Sequence, residues 1–332
     1  MPGEYRKREL IDDVLIVSHR VDDHHEGWRA DRFLCTQYKH FSRNKLQTMI
    51  DSGRIKMPGK NLKASTTLRP GDVIQVVTDL GHVKEPDVDF NYKVLYEDDH
   101  LLGIDKPGNL PVHPAGKFLF NTLLMSLRRE RAEWIKTPGQ DFFLVHRLDR
   151  ETSGVILLAK TSATAAKLVE QFRERKTQKR YSAVVAGHPV QERFTVDADI
   201  GPDSKSHIRL KMAAFPKGEG TTDALTHFNV VERGKNASLV DCELMTGRQH
   251  QIRVHLASVG HPVVGDKLYG PDDQIFLDYI HTRALTDDAL GVLKADRQAL
   301  HSRYLRFYHE PLGQWLELES KLPQDMKELL AK

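Results

Sequence analysis

Apolar residues recur along this chain at two spacings, and the spacing changes from region to region. Near the amino terminus, Val14-Leu-Ile-Val17 reads as a strand, followed by the acidic, histidine-containing turn Asp22-Asp-His-His-Glu26. Residues 28–38 set Phe33 and Leu34 against Asp31 and Arg32 and predict a first helix. A second is predicted over 43–51, where Leu46, Met49 and Ile50 fall at i, i+3 and i+4. Ser42 suits its N-cap, and Gly53 suits a terminator that takes positive φ. Short strands are predicted around 55–57 and 73–77, with Gly59 and Pro70-Gly71 as turn signals. These elements delimit a small unit, 28–78, behind an extension, 1–27.

Residues 79–92, with Gly81, Pro86 and alternating Glu85, Asp87 and Asp89, read as an acidic linker. From 93 to 322 strand patterns dominate, at 94–96, 101–104, 154–159, 181–185, 227–231, 239–244 and 315–318. Helices are predicted over 163–175, with Leu168, Val169 and Phe172 on one face, and over 250–259. Residues 271–296 are helical in pattern and acidic in places, and 323–332 form a tail. Most strands follow one another without helices between them. The pattern therefore predicts an α+β fold with a mixed, mainly antiparallel sheet rather than a doubly wound parallel one.

At 332 residues and 39% hydrophobic, the chain is long enough for about two domains, each able to bury a core. No stretch of about 18 apolar residues predicts a membrane span, and Met1 to Arg8 lack the apolar region of a secretory signal. Cys35 and Cys242 lie far apart and read as reduced thiols, which points to the cytoplasm. The net charge of +3 says little, but its distribution says more. Residues 28–69 hold ten Lys/Arg against two Asp, a density suited to neutralising phosphates. A solvated basic surface without a partner gives the same count.

Several chemistries are excluded. The chain has no Gly-rich phosphate loop ending in Lys-Ser/Thr, no Gly-x-Gly-x-x-Gly, no Gly-x-Ser-x-Gly and no His-Glu-x-x-His. His24, His25 and Glu26 are adjacent in a polar turn and seldom converge on one ion in that arrangement. His250 and His255, five apart on a helix, project about 140° apart around its axis, so joint metal ligation is poor. What remains is the segment 142–154, where an apolar strand enters a charged turn with Asp149 between Arg147 and Arg150. From the residues alone Asp149 has two readings, an ion pair that satisfies a corner or a reactive carboxylate. An unpaired buried charge costs several kcal/mol, so the first reading is the simpler.

Longer motifs extend this. His146-Arg-Leu-Asp149-Arg-x-Thr-Ser-Gly154 resembles the signature of RluA-type RNA pseudouridine synthases. Four further pieces follow that family's order: Asp105-Lys106-Pro107-Gly108 running to Pro111-Val112-His113-Pro114; Lys179-Arg180-Tyr181; Gly247 to Leu256 with His261-Pro262 and Gly265-Asp266; and Arg297 to His301 with Leu305-Arg-Phe307. In the first unit, Arg29-Ala-Asp31-Arg-Phe-Leu34, Ser42-Arg43, Ile50 to Ile55 and Leu68 to Ile74 resemble the alpha-L RNA-binding module first seen in a small-subunit ribosomal protein. Its turn Lys56-Met-Pro-Gly59 departs from the usual Val-Asn-Gly type.

The resemblance implies the pseudouridine synthase fold and an enzyme that breaks the uracil–ribose bond, rotates the base and rejoins it through a ring carbon. Asp149 would be the catalytic carboxylate, as nucleophile at the anomeric carbon or as the base that gives a glycal. Arg253 would hold it ionised, and Tyr181 would stack on the base near the proton lost. Arg147 would fill the gap left by the flipped nucleotide, with His113 and Lys106 as RNA-contacting loop residues. Arg29, Arg32, Arg43, Lys45 and Arg54 would line the RNA-binding module, and Lys179 and Arg180, with Arg173, Arg175 and Lys176, would contact phosphates. The expected partner is RNA, ribosomal ahead of transfer RNA, with no metal or other cofactor, no membrane, and a monomeric enzyme. The rivals are a non-catalytic RNA-binding protein of the same fold and a hydrolase using Asp149 with a metal. Two departures stand out: the stretch 271–296 is longer than the family's link, and His309-Glu310-Pro311 replaces the usual His-Pro and leaves the register of the last strand open.

Overall fold

The computed structural model describes residues 6–11, 14–38, 41–79, 85–115 and 118–331. The chain divides into two compact units, Met1–Lys84 and Glu85–Lys332. In the first, β1 (Arg6–Ile11) and β2 (Val14–Arg20) pair antiparallel, β2 pairs β4 (Val73–Asp79), and β4 pairs the short β3 (Ile55–Lys56). Helices α1 (Ala30–Gln37) and α2 (Arg43–Asp51) bury Phe33, Leu34, Leu46 and Ile50 against Ile55, Leu68 and Ile74. Ser42 caps α2 by accepting from Lys45 N–H, and Gly53 follows it at φ 71°. The departing turn closes as a bridge between Met57 and Lys60, with Gly59 at φ 74°. The predicted extension is not outside this unit: β1 and β2 supply half of its sheet.

In the second unit, β5 (Lys93–Glu97), β6 (Leu101–Lys106), α3 (Leu123–Glu130), α4 (Ala132–Ile135) and β7 (Gln140–Leu144) lead to β8 (Ser153–Thr161). Then come α5 (Ser162–Arg173), β9 (Gln178–Ala186), β10 (Arg193–Asp197), β11 (Asp199–Pro202), β12 (Met212–Phe215), β13 (Leu225–Arg233) and β14 (Ala237–Leu244). The chain ends with α6 (Gln251–Ser258), α7 (Asp273–Thr282), α8 (Asp287–Leu293), β15 (Leu300–His309), β16 (Gln314–Glu319) and α9 (Gln324–Ala331). Among the described residues, ten strands form one sheet whose main path runs β10-β13-β14-β9-β15-β8-β6-β5. Every pairing is antiparallel except β15 with β8, so the sheet is mixed and mainly antiparallel, as the strand pattern predicts.

Two predicted boundaries are corrected here. Glu85 lies inside the predicted linker, yet its carboxylate accepts from the backbone N–H groups of Leu119, Phe120 and Asn121 at 2.7–2.8 Å, which ties 85 onward to the second unit. Residues 80–84 of the linker lie outside the described residues. The predicted tail is helix α9, whose Met326, Leu329 and Leu330, at helical spacing, are buried in the main core. The last strand's register is plain: Tyr304 faces Glu319 and His309 faces Gln314, with Glu310–Leu312 as a single 3-10 turn between.

The single parallel contact is a close crossing. His301 faces Ser153 and Ser302 faces Gly154, while Ser302 also faces Tyr181 across β9. Gly154 has φ 103°, and a Cβ there would lie 2.1 Å from the Ser302 carbonyl oxygen. Only glycine fits both the backbone angle and the space. Gly154→Ala is expected to destabilise the protein by about 3 kcal/mol, the joint cost of left-handed strain and overpacking. In contrast, Gly291→Ala, on α8 with nothing within 4 Å of its would-be Cβ, is expected to be neutral or stabilising by about 0.5 kcal/mol. Urea unfolding of the two variants beside the wild type measures both.

Candidate active site

The turn between β7 and β8 is held at every residue from 149 to 152. Thr152 N–H donates to the Asp149 carbonyl at 3.2 Å. The Arg150 carbonyl accepts from Leu110 N–H at 3.1 Å and from the Lys106 ammonium at 3.0 Å. Glu151 pairs through its carboxylate with Lys267 (2.9 Å) and Arg150 (2.6 Å), and its carbonyl accepts from Arg297. Gln298 donates to the Thr152 hydroxyl at 2.6 Å. The side chain of Asp149 is left to face outward from a turn with little freedom.

One of its oxygens has a strong partner. Arg253 Nη1 donates to Asp149 Oδ2 at 2.8 Å, while its Nε and Nη2 grip Asp266 at 2.6 and 2.8 Å. Asp266 also accepts from the N–H groups of Leu268 and Tyr269, and its side chain is fully buried, whereas that of Asp149 is 28% exposed. Arg253 reaches both because α6 is buried all round, with Ile252 and Leu256 in the main core. Burial by itself would raise the Asp149 pKa, but the Arg253 charge, reinforced by hydrogen bonds, outweighs it and holds the carboxyl below its usual value. Asp149 is therefore ionised at neutral pH.

Asp149, Tyr181 and Arg147 line one cleft of about 960 Å³ with His250, Lys179 and Arg248. Tyr181 is 8% exposed, hydrogen-bonds Ser302, and burial pushes its phenol up to about 12, so it is protonated at neutral pH. Arg147 is exposed. Lys179 lies 6.0 Å over the Phe172 ring, and burial, with Arg175 and Arg248 nearby, brings its ammonium down to about 8. Arg173 and Arg175 also line the cleft, each paired with an acid, Glu170 and Asp223; Lys176 pairs with Glu174.

Two expected RNA contacts sit elsewhere. Lys106 is fully buried, and its ammonium donates to the carbonyls of Pro107, Leu110 and Arg150 at 2.8–3.0 Å. Burial brings its pKa down to about 7. It is a brace for the Asp149 turn, not a surface cation. Arg180 alternates with Tyr181 on β9 and so points from the opposite face of the sheet, over the Tyr304 ring and into a groove with Arg193 and Arg303. His113 is half-buried on the loop after β6. In the first unit, Arg29 and Arg43 both pair with the buried Asp31, Arg32 stacks 4.1 Å over Trp28, and Lys45 and Arg54 are exposed.

Other residues of the site went unassigned in the sequence. Asp266 and Gln298 stand inside the quoted motifs, but no spacing ties them to Asp149. His250, which the sequence sets aside only as a joint metal ligand with His255, sits at φ 58° ahead of α6 with Nε2 4.0 Å from Asp149 Oδ1. His255 is structural, bonded to Thr226 and the Ala198 carbonyl. The inserted stretch touches the turn as well: Tyr279 of α7 accepts from Arg150 at 2.6 Å. Among the described residues, no group of three or more His, Cys, Asp or Glu is arranged to hold a metal ion, and no helix is long and apolar enough to cross a membrane.

The family model described as RNA pseudouridylate synthase matches residues 100–258, which span the Asp149 turn, Tyr181 and Arg253. A protein of Xanthomonas campestris named ribosomal large subunit pseudouridine synthase D is 37% identical over 315 residues, covering 94% of this chain and 90% of its own. A Pseudomonas aeruginosa protein of the same name is 33% identical, covering 92% of each chain. Among solved structures, human RNA pseudouridylate synthase domain containing 1 aligns with a TM-score of 0.54 at 28% identity, over 71% of this chain and 86% of that one. The chain belongs to the RNA pseudouridine synthase family. It is accordingly an enzyme that isomerises uridine in RNA to pseudouridine, on the mixed sheet described above.

The geometry yields a pH prediction. Asp149 and Asp266 are held below the unfolded carboxyl value of about 3.9, so their pairing stabilises the fold above that pH and is lost only as pH falls through the depressed folded values. Arg253→Met removes the main charge that opposes burial and raises both folded values; once these pass the unfolded value, stability falls as pH rises. The variant is expected to lose about 3–5 kcal/mol at neutral pH and to be more stable at pH 5 than at pH 8, unlike the wild type. Urea unfolding at the two pH values reads the sign.

Proposed function

We propose that this enzyme acts on ribosomal RNA, that Asp149 is its catalytic carboxylate, and that the basic first unit is an RNA-binding module of the alpha-L type. The carrying observation is a carboxylate kept ionised by Arg253 yet open to a cleft it shares with a buried tyrosine. The names of two relatives, each covering more than nine-tenths of this chain, favour the large ribosomal subunit as the source of the substrate.

A uridine reaches such a cleft only by leaving its stack, at a cost of a few kcal/mol that is smallest in loops and weak pairs. Arg147, exposed at the rim, is suited to occupy the vacated space with its planar guanidinium. Asp149 then acts at the ribose, either attacking the anomeric carbon as the bond to N1 breaks or removing the neighbouring proton to give a glycal. After rotation the ring carbon bonds to the sugar and loses its proton. Tyr181, protonated at neutral pH, serves as an aromatic face and a hydroxyl, not as a phenolate base. Arg173, Arg175, Lys179 and Arg248 give the cleft wall a cationic character suited to phosphates.

In the first unit the freely exposed Lys45 and Arg54 are the residues best placed to grip phosphate, since Arg29 and Arg43 are engaged by Asp31. The proposed organisation is this module, the strands ahead of it included, followed from Glu85 by the catalytic domain, with α9 as part of that domain's core.

Two experiments test the proposal. Ribosomal RNA from cells lacking the gene, labelled with tritium on the uracil ring carbon, is expected to release tritium with wild type, unaffected by a metal chelator. Asp149→Asn is expected to be slower by at least about 10³-fold; equal release from both would remove Asp149 from the chemistry. Mapping pseudouridines in total RNA with and without the gene then names the site. Replacing Lys45 and Arg54 together by Ala in the full chain is expected to weaken RNA binding and flatten its dependence on log salt by about one to two counterions. An unchanged slope would show that these residues do not grip phosphate.

A further inference from the structure

The two oxygens of Asp149 are not equivalent. Oδ2 is taken by Arg253, Gln298 also hydrogen-bonds the carboxylate, and Oδ1 faces His250 Nε2 across 4.0 Å, too far for a direct hydrogen bond. The state of that imidazole follows from its other partners. Met212 N–H can only donate, and it donates to the Tyr269 hydroxyl oxygen at 3.1 Å. Pairing the Tyr269 proton with His250 Nδ1, 2.8 Å away, sets the ring proton on Nε2, the tautomer we assign here. Burial brings the His250 pKa down to about 4, so the ring stays neutral and keeps this single arrangement through the neutral range. Its backbone is also fixed, in the left-handed region at φ 58°. A donor and an acceptor thus face each other across a gap in the cleft wall.

We propose that His250 Nε2–H and Asp149 Oδ1 form a subsite for one hydroxyl group, the 2′-hydroxyl of the flipped nucleotide. An oxygen about 2.8 Å from each side of such a gap subtends about 90°, close to what a hydroxyl needs to accept from the imidazole and donate to the carboxylate. The 2′-hydroxyl is selected because it is the hydroxyl nearest the anomeric carbon on which Asp149 acts; this clause rests on the function proposed above. A carboxylate oxygen has a second lone pair, so accepting the hydroxyl proton leaves Oδ1 able to address the sugar. His250 touches substrate, and Tyr269 is a positioning residue that acts through it by fixing the tautomer. The subsite would distinguish ribose from deoxyribose at the target itself, since a site built to pair a hydroxyl is left unsatisfied by a sugar that lacks one.

The test is a cycle of two enzymes and two substrates. Short RNA hairpins are made around the uridine located by mapping, with ribose or 2′-deoxyribose at that nucleotide alone. Single-turnover rates and dissociation constants are measured for full-length wild type and His250→Asn. Asn tolerates the left-handed backbone, but its amide stops short of the gap. The deoxy substitution is expected to penalise wild type about tenfold more than the variant, and changes in sugar pucker cancel in the ratio. Tyr269→Phe, which keeps the imidazole but frees its tautomer, is expected to shrink the penalty partway. An identical deoxy penalty in all three proteins overturns the subsite. If the deoxy hairpin is not converted at all, the ratio of dissociation constants decides by the same rule. Failure of wild type to convert the ribose hairpin would instead reject the assigned target, a separate result.

Discussion

Arg253 lies between two carboxylates that differ in one respect: Asp266 is sealed in the protein, and Asp149 opens to the cleft. Asp266 fixes the guanidinium through two parallel bonds before any substrate arrives, so the third donor points at Asp149 without loss of side-chain freedom. One cation shared by two anions leaves a surplus negative charge, and Asp266, with two backbone N–H donors of its own, is saturated. The surplus therefore resides on the exposed Asp149 oxygen. Asp266 already satisfies Arg253, so the pairing of Asp149 with the same guanidinium supports the reactive role proposed for it over a purely structural corner.

The backbone frame serves that arrangement. A fully buried lysine is expensive unless its donors are used, and Lys106 uses all three on carbonyls around the Asp149 turn. Downstream, Gly154 lets β15 approach β8 closely enough to bring Ser302 between Gly154 and Tyr181. The tyrosine and the carboxylate are thereby set from one crossing, even though β8 and β9 share no ladder.

Features governed by local pattern were legible in the sequence. Helix α2, its Ser42 cap and its Gly53 stop follow from spacing and backbone preference alone, and the mainly antiparallel sheet follows from strands without intervening helices. The Asp149–Arg253 pairing was available only through the motif resemblance, because 104 residues separate the partners. Features set by packing were not legible. A lysine in a loop motif looks like an RNA contact until burial gives it three carbonyls. Arg180 adjoins Lys179 in the sequence, but strand alternation places it behind the sheet. Helix α9 reads as a tail because its three core residues occupy so short a stretch, and β1, mostly polar, has only Leu10 and Ile11 as an apolar signal.

Strand alternation also separates two tasks that charge counting merges. On β9, Lys179 and Tyr181 face the reaction cleft while Arg180 and Ser182 face away, so adjacent cations serve different surfaces. Around the cleft, Arg173 is matched by Glu170, Arg175 by Asp223 and Arg253 by two aspartates. Exposed pairs of this kind are weak and exchange readily for phosphate, whereas the buried Arg253 triad does not. RNA can thus displace the rim partners as it enters while the charge on Asp149 stays unchanged. Burial, more than the number of basic residues, separates the charges held in place from those open to exchange.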